Sequence, residues 1–189
     1  MRLFILLPII SIVWFFSEVI MARIKYSSSE GERTPDRRSL RILWCTIIPA
    51  VTLGVILGLR GIGYISIASS LALPAGILFI IFGLIIRWMA VFALRGYFTS
   101  NVSILPNHQL VTHGIYRLVR HPAYAGSLLS FLGLGLAFSN WLSVLVIFLP
   151  ILAAFLYRIR VEEAALREAF GQAYQRYCQK TRRLLPGVY

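Results

Sequence analysis

The sequence is short of charge. Asp, Glu, Lys and Arg make up 14% of its 189 residues and only seven are acidic, against a hydrophobic share of 58%. A soluble domain of this size needs more charged surface than that to stay dissolved, which excludes an ordinary water-soluble enzyme. Cysteine is scarce too. Cys45 lies in an apolar run and Cys178 in a basic tail, with no Cys-x-x-Cys and no Cys/His ligand spacing, so neither a disulfide framework nor a metal site is expected. Internal repeats and low-complexity tracts are missing. So is the period-2 alternation of membrane barrel strands, because the apolar blocks are continuous, and this favours helices.

What the chain does have is long apolar runs. They fall near residues 3–21, 42–59, 72–94, 123–138 and 141–157, close to the roughly 20 residues that cross a bilayer. The expected fold is therefore all-α: an integral membrane helical bundle of about five transmembrane helices. It forms one domain over residues 1–189, with three spans in 1–94 and the polar motifs in 95–189. Arg2 and the apolar run after it are not followed by a small-x-small cleavage site, so this run reads as a retained span. Ser139-Asn140 alone separates the last two runs, which predicts an antiparallel helical hairpin. Pro150 predicts a bend in the last span. Beyond it, Leu166, Phe170, Ala173, Tyr174 and Tyr177 recur at helical spacing among charges. This is an amphipathic helix that prolongs the last span.

The net charge is +12. Nucleic acid is excluded as a partner because the basic residues sit beside apolar runs and form no dedicated basic face. They alternate instead: six in the first loop, one in the second, three in the third, none in the hairpin turn and seven in the tail. Basic segments stay cytoplasmic, so the third loop and the C-terminal helix share the cytoplasmic face, and any site between them opens there.

Two polar clusters stand on those segments. One is His108-Gln109-Leu110-Val111-Thr112-His113-Gly114-Ile115-Tyr116, followed by Arg120-His121-Pro122-Ala123-Tyr124-Ala125-Gly126. The other is Arg158, Arg160, Glu162 and Glu163, with Phe170-Gly171, Tyr174 and a final Arg183-x-x-Pro186. Ionisable groups at the edge of an apolar span are costly unless paired or functional. Singly, each has a plainer reading. The arginines serve as interfacial anchors, Glu162-Glu163 as a solvated face pairing with Arg158 and Arg167, Arg87 as a snorkelling group or a partner of Glu18, and Tyr174 and Tyr177 as packing residues. Gly133-x-Gly135 reads as a helix-packing groove, since no strand precedes it.

Taken in order and with their spacing, these motifs over about residues 101–186 resemble the isoprenylcysteine carboxyl methyltransferases, a family whose wider superfamily includes the phospholipid methyltransferases. The resemblance implies S-adenosyl-L-methionine as cofactor. It places His108, Gln109, Leu110, Val111, Tyr116, His121, Pro122, Ala123, Tyr124 and Glu162 at the cofactor site and Arg158 at the substrate. A further polar position falls near Asn101.

The residue chemistry fits on its own terms. A carboxylate such as Glu162 accepts from an ammonium or a ribose, and aromatic faces hold a sulfonium by cation–π attraction of about 0.5–2 kcal/mol. Methyl transfer mainly needs two reactants held in line. A carboxylate acceptor is already ionised at neutral pH and needs no base, and an arginine holds it bidentately. That favours carboxyl O-methylation of a prenylcysteine-like acceptor that enters from the bilayer. N-methylation of a phospholipid amine is a second reading, and an NADPH-dependent reductase of the sterol type a third. A non-enzymatic scaffold or transport subunit is the fourth.

Overall fold

The computed structural model describes residues 2–26, 37–66, 69–94 and 110–187, with side chains described over 7–21, 38–66, 71–94 and 110–187. The apolar runs form five helices: α1 (Arg2–Tyr26), α2 (Arg37–Arg60), α3 (Ser69–Leu94), α4 (Pro122–Ala137) and α5 (Trp141–Lys180). A short 3-10 helix, Gly114–Arg117, precedes α4. Among the described residues there is no strand. The β-type contacts are isolated bridges, Tyr64 with Asn140 and Val119 with Arg182.

Three helices, Arg38–Arg60, Leu71–Leu94 and Trp141–Lys180, are long and apolar enough to cross a membrane, whereas the described apolar parts Leu7–Met21 and Pro122–Ala137 are shorter. This is fewer than the five spans read from hydropathy. At 16 residues, α4 is about 24 Å long, under the roughly 30 Å of a bilayer core. Local chemistry sets its ends. Pro122 occupies the first turn, where its missing N–H costs nothing. At the other end Ser139 adopts a left-handed φ of 50°, and the chain reverses there. Asn140 then caps α5 by accepting from Ser143 N at 3.0 Å, and its Nδ2 donates to Ile62 O at 2.7 Å. The hairpin expected from the two-residue connection is present.

Small residues bring the helices together. A Cβ on Gly133 would stand 2.5 Å from Gly76 O, and one on Gly126 would stand 2.5 Å from Gly83 O. The α3 and α4 backbones therefore meet at two glycine pairs seven residues apart. This is the close approach by which membrane helices gain packing energy without a hydrophobic driving force. The packing reading of Gly133 and Gly135 holds, with Gly135 against Val144 of α5. α2 packs on α5 through Gly54 against Ile147, with Ser143 Oγ donating to Gly54 O at 2.8 Å. Outward-facing Phe15, Phe16, Ile48, Leu53, Phe82 and Phe92 are exposed. So much apolar surface would be a liability in water and suits lipid.

Arg87 is paired, not snorkelling. Its Nη2 donates to Glu18 at 2.6 Å and its Nη1 to Ser127 Oγ at 2.6 Å, which ties α1, α3 and α4 together. Pro150 lies inside α5, and the helix has a break farther on that the sequence reading did not include. The residue with non-helical dihedrals is Gly171, at φ 49° and ψ −122°. A membrane helix tolerates one proline because its neighbours re-satisfy the freed carbonyl. The Gly171 conformation, by contrast, is one that side-chain-bearing residues avoid.

Candidate active site

The break at Gly171 turns the last part of α5 back onto the segment before α4. Tyr177 donates its hydroxyl hydrogen to Tyr116 O at 2.6 Å. Past the helix, Arg120 N donates to Arg182 O at 2.8 Å and His121 N to Arg183 O at 3.0 Å. The second satisfies the N–H of His121, the N-cap residue of α4, which a helix start leaves unpartnered. Both bonds fix His121, Pro122 and Tyr124 beside the polar stretch of α5.

A hydrogen-bonded relay runs across that junction. Tyr124 donates its hydroxyl to Glu162 Oε2 at 2.6 Å, and Arg158 Nε donates to the same hydroxyl oxygen at 2.9 Å. Arg158 Nη1 donates to Ser39 Oγ of α2 at 3.0 Å. His121 stacks on Tyr124 with ring centroids 5.6 Å apart and 12° between planes, and Tyr124 meets Phe155 at 5.1 Å on its other contact. His121 Nδ1 lies 4.0 Å from Glu162 Oε1 and its Nε2 lies 3.5 Å from Glu163 Oε1. That Nε2 is buried and lacks a well-formed hydrogen bond.

The adjacent glutamates do different work. The Glu162 side chain keeps 28% exposure, whereas that of Glu163 has 2%. Glu163 accepts from Arg120 Nε at 3.0 Å and from Arg183 Nη2 at 2.8 Å, with Arg167 at 3.5 Å. Burial by itself would push its carboxyl up. The nearby His121 ring, the hydrogen bonds of Arg183 and the charge of Arg120 outweigh burial and hold it well below the usual carboxylate range. Glu163 lies in the polar stretch past the apolar run that ends at Tyr157. Arg120 also donates to the Cys178 carbonyl at 3.2 Å and to the Thr181 carbonyl. Glu163 is thus the hub that locks the C-terminal segment to α4, and Glu162 is left to face outward.

An apolar wall adjoins the relay. Tyr116 and Ala123 are buried with Ala90, and Val111 packs against them; Pro122 is fully buried. Burial, and after it the charge of Glu162, pushes the Tyr116 hydroxyl up.

Of the residues singled out from sequence, Val111, Tyr116, His121, Pro122, Ala123, Tyr124, Arg158 and Glu162 therefore converge on one junction. Leu110, partly buried, directly precedes Val111. His108 and Gln109, like the position near Asn101, lie outside the described residues. Arg158 is buried at 3% exposure and engaged within the protein. Among the described residues no group of three or more His, Cys, Asp or Glu could hold a metal ion.

Sequence reasoning missed Ser39, a lone serine with no local signal. It also passed over Arg183 as a clamp, although the Arg-x-x-Pro spacing marked it.

The fold and junction define a class: an all-helical membrane protein whose polar cluster stands on the ends of apolar helices. Residues 76–168 match the profile of the isoprenylcysteine carboxyl methyltransferase (ICMT) family. Among curated proteins it resembles the probable protein-S-isoprenylcysteine O-methyltransferase of Oryza sativa subsp. indica. The two are 39% identical over 115 residues, 60% of either chain. It is 36% identical to protein-S-isoprenylcysteine O-methyltransferase A of Arabidopsis thaliana over 60% of this chain and 58% of that one. The chain thus spans less than two thirds of the length of these relatives. Among solved structures it resembles the eukaryotic intramembrane Ras methyltransferase ICMT, with a TM-score of 0.58 and 26% identity over 76% of this chain and 52% of that one.

Proposed function

We propose that this protein transfers a methyl group from S-adenosyl-L-methionine to a lipophilic membrane substrate, most plainly the carboxylate of a prenylcysteine-like acceptor. The observation that carries the proposal is the relay Arg158–Tyr124–Glu162, stacked against His121 at the junction of α4 and α5. The match of residues 76–168 to the family profile and the names of the relatives support the same reading.

The residues present fit the cofactor's chemistry. Glu162 offers a partly exposed carboxylate for an ammonium or ribose hydroxyls. His121 and Tyr124 offer a stacked aromatic pair and a buried ring nitrogen without a strong partner. Val111, Tyr116, Pro122 and Ala123 supply the apolar wall, and the family resemblance adds His108, Gln109 and Leu110. When bound, the cofactor supplies an electrophilic methyl on a sulfonium. The protein's own task is then positioning and exclusion of water. Arg158 carries the cationic end of the relay and orients the acceptor carboxylate, which arrives ionised and needs no base.

In this reading five helices traverse or enter the bilayer, the C-terminal helix lies on the cytoplasmic face, and the cofactor arrives from that side. The acceptor's chain stays in lipid, where each buried CH₂ contributes about 0.8 kcal/mol.

The test uses purified protein, methyl-labelled S-adenosyl-L-methionine and a prenylcysteine analogue or a lipid extract. Organic-phase label that mild alkali releases as methanol is the expected result. Alkali-stable label moves the assignment to amine methylation, and absence of transfer together with absence of cofactor binding overturns the proposal.

A further inference from the structure

Ser39 lies outside residues 76–168, the part matched by the family profile. It sits in the first turn of α2, 3% exposed, and its hydroxyl oxygen accepts from Arg158 Nη1 at 3.0 Å across 119 residues of sequence. Resting on the carboxyl-methyltransferase reading above, we propose that Ser39 is a positioning residue for the acceptor. It fixes the plane of the Arg158 guanidinium, so that a carboxylate meets Arg158 in one orientation.

A guanidinium carries its donors in one rigid plane. Nε on Tyr124 engages one edge of that plane. Nη1 on Ser39 engages another edge from a different helix, so the plane is held from two sides. The Tyr124 hydroxyl has one hydrogen, and the carboxylate of Glu162 has none to give back, so that hydrogen points to Glu162. The relay therefore has a direction, from Arg158 through Tyr124 to Glu162, and Ser39 acts on it only at the Arg158 end.

A rival account makes Ser39 a simple tether between α2 and α5. Those helices are already joined by Ser143 Oγ on Gly54 O at 2.8 Å, by the α5 cap Asn140 Nδ2 on Leu57 O at 3.3 Å and by Gly54 against Ile147. The joint does not depend on Ser39, and what Ser39 adds is the orientation of Arg158.

The experiment compares wild type, Ser39→Ala and Ser39→Cys in detergent or nanodiscs. It measures kcat and KM for a prenylcysteine analogue and, separately, equilibrium affinity for S-adenosyl-L-methionine. Cysteine keeps the volume but offers only a weak acceptor, so it reports on the hydrogen bond even if the alanine variant fails to insert. For both variants kcat/KM for the acceptor falls about tenfold, chiefly through KM, while cofactor affinity stays within about twofold. Unchanged kcat/KM in either variant overturns the proposal, and so does a parallel fall in acceptor and cofactor affinity, the mark of a structural role. Absence of label transfer by wild type sinks the carboxyl-methyltransferase reading and this inference with it. Transfer by wild type with unaffected variants sinks this inference alone.

Discussion

Changing Glu163 to glutamine removes one charge and almost no volume, yet the protein should lose its C-terminal docking. The carboxylate is the shared acceptor of Arg120 at 3.0 Å and Arg183 at 2.8 Å, and its side chain is 2% exposed. Arg167, 54% exposed at 3.5 Å, adds under about 1 kcal/mol. Breaking a buried pair by deleting one partner costs about 3–5 kcal/mol, because the charge left behind stays out of water. The lower end applies here, since Arg120 keeps the carbonyls of Cys178 and Thr181. A loss of about 3 kcal/mol lowers the melting temperature of a chain this size by about 6–12 °C.

Thermal unfolding in detergent reads the global effect, and tryptic cleavage at Arg176, Lys180 and Arg182 reads the local one. A melting temperature within about 2 °C of wild type, with unchanged cleavage, refutes the hub assignment. The pH dependence supplies a second check. The Glu163 carboxyl is held below its unfolded range, so its stabilisation is complete above about pH 5 and is lost as pH falls through the lower folded value. The gap between wild type and Glu163→Gln should therefore persist from pH 7 to about 5 and close only in stronger acid.

Three other outcomes follow from the geometry. Glu162→Gln should leave the melting temperature near wild type but weaken S-adenosyl-L-methionine binding about 10- to 100-fold, as expected for a hydrogen bond to a charged group, and calorimetric titration reads it. Gly133→Val should prevent α3 from meeting α4, since even a Cβ there stands 2.5 Å from Gly76 O; loss of folded protein in size-exclusion chromatography is the expected result. Glu18→Gln should destabilise by leaving Arg87 buried and unneutralised, and adding Arg87→Met should restore most of the loss, a non-additivity that a double-mutant thermal cycle detects.

How much of this was legible in the chain depended on how local each signal is. Continuous apolar runs, the Ser139-Asn140 turn and Pro122 act within a few residues, so the five helices, the hairpin and the start of α4 were readable. Span number was less so: the 16 residues of α4 match the run read from sequence but fall short of a bilayer core, and three helices are long enough to cross one. The break at Gly171 was missed for a related reason. Proline is the louder marker, but Gly171 carries the break, and only the packing of Tyr177 on Tyr116 shows why the chain must turn there.

The site divides the same way. His121, Tyr124, Arg158 and Glu162 were singled out because their spacing matches a known pattern, yet spacing could not separate Glu162 from Glu163. Both read as helix-face carboxylates beside arginines. Their difference comes from the partners that the tail delivers. Arg183 reaches back 20 residues to Glu163, while Tyr124 comes 38 residues forward to Glu162. On a helix, consecutive residues point about 100° apart, so one carboxylate is turned into the arginine clamp and the other toward the aromatic stack. The clamp gives the site its rigidity. A partly exposed Glu162 can be aimed at a ligand because a buried Glu163 already holds the wall behind it.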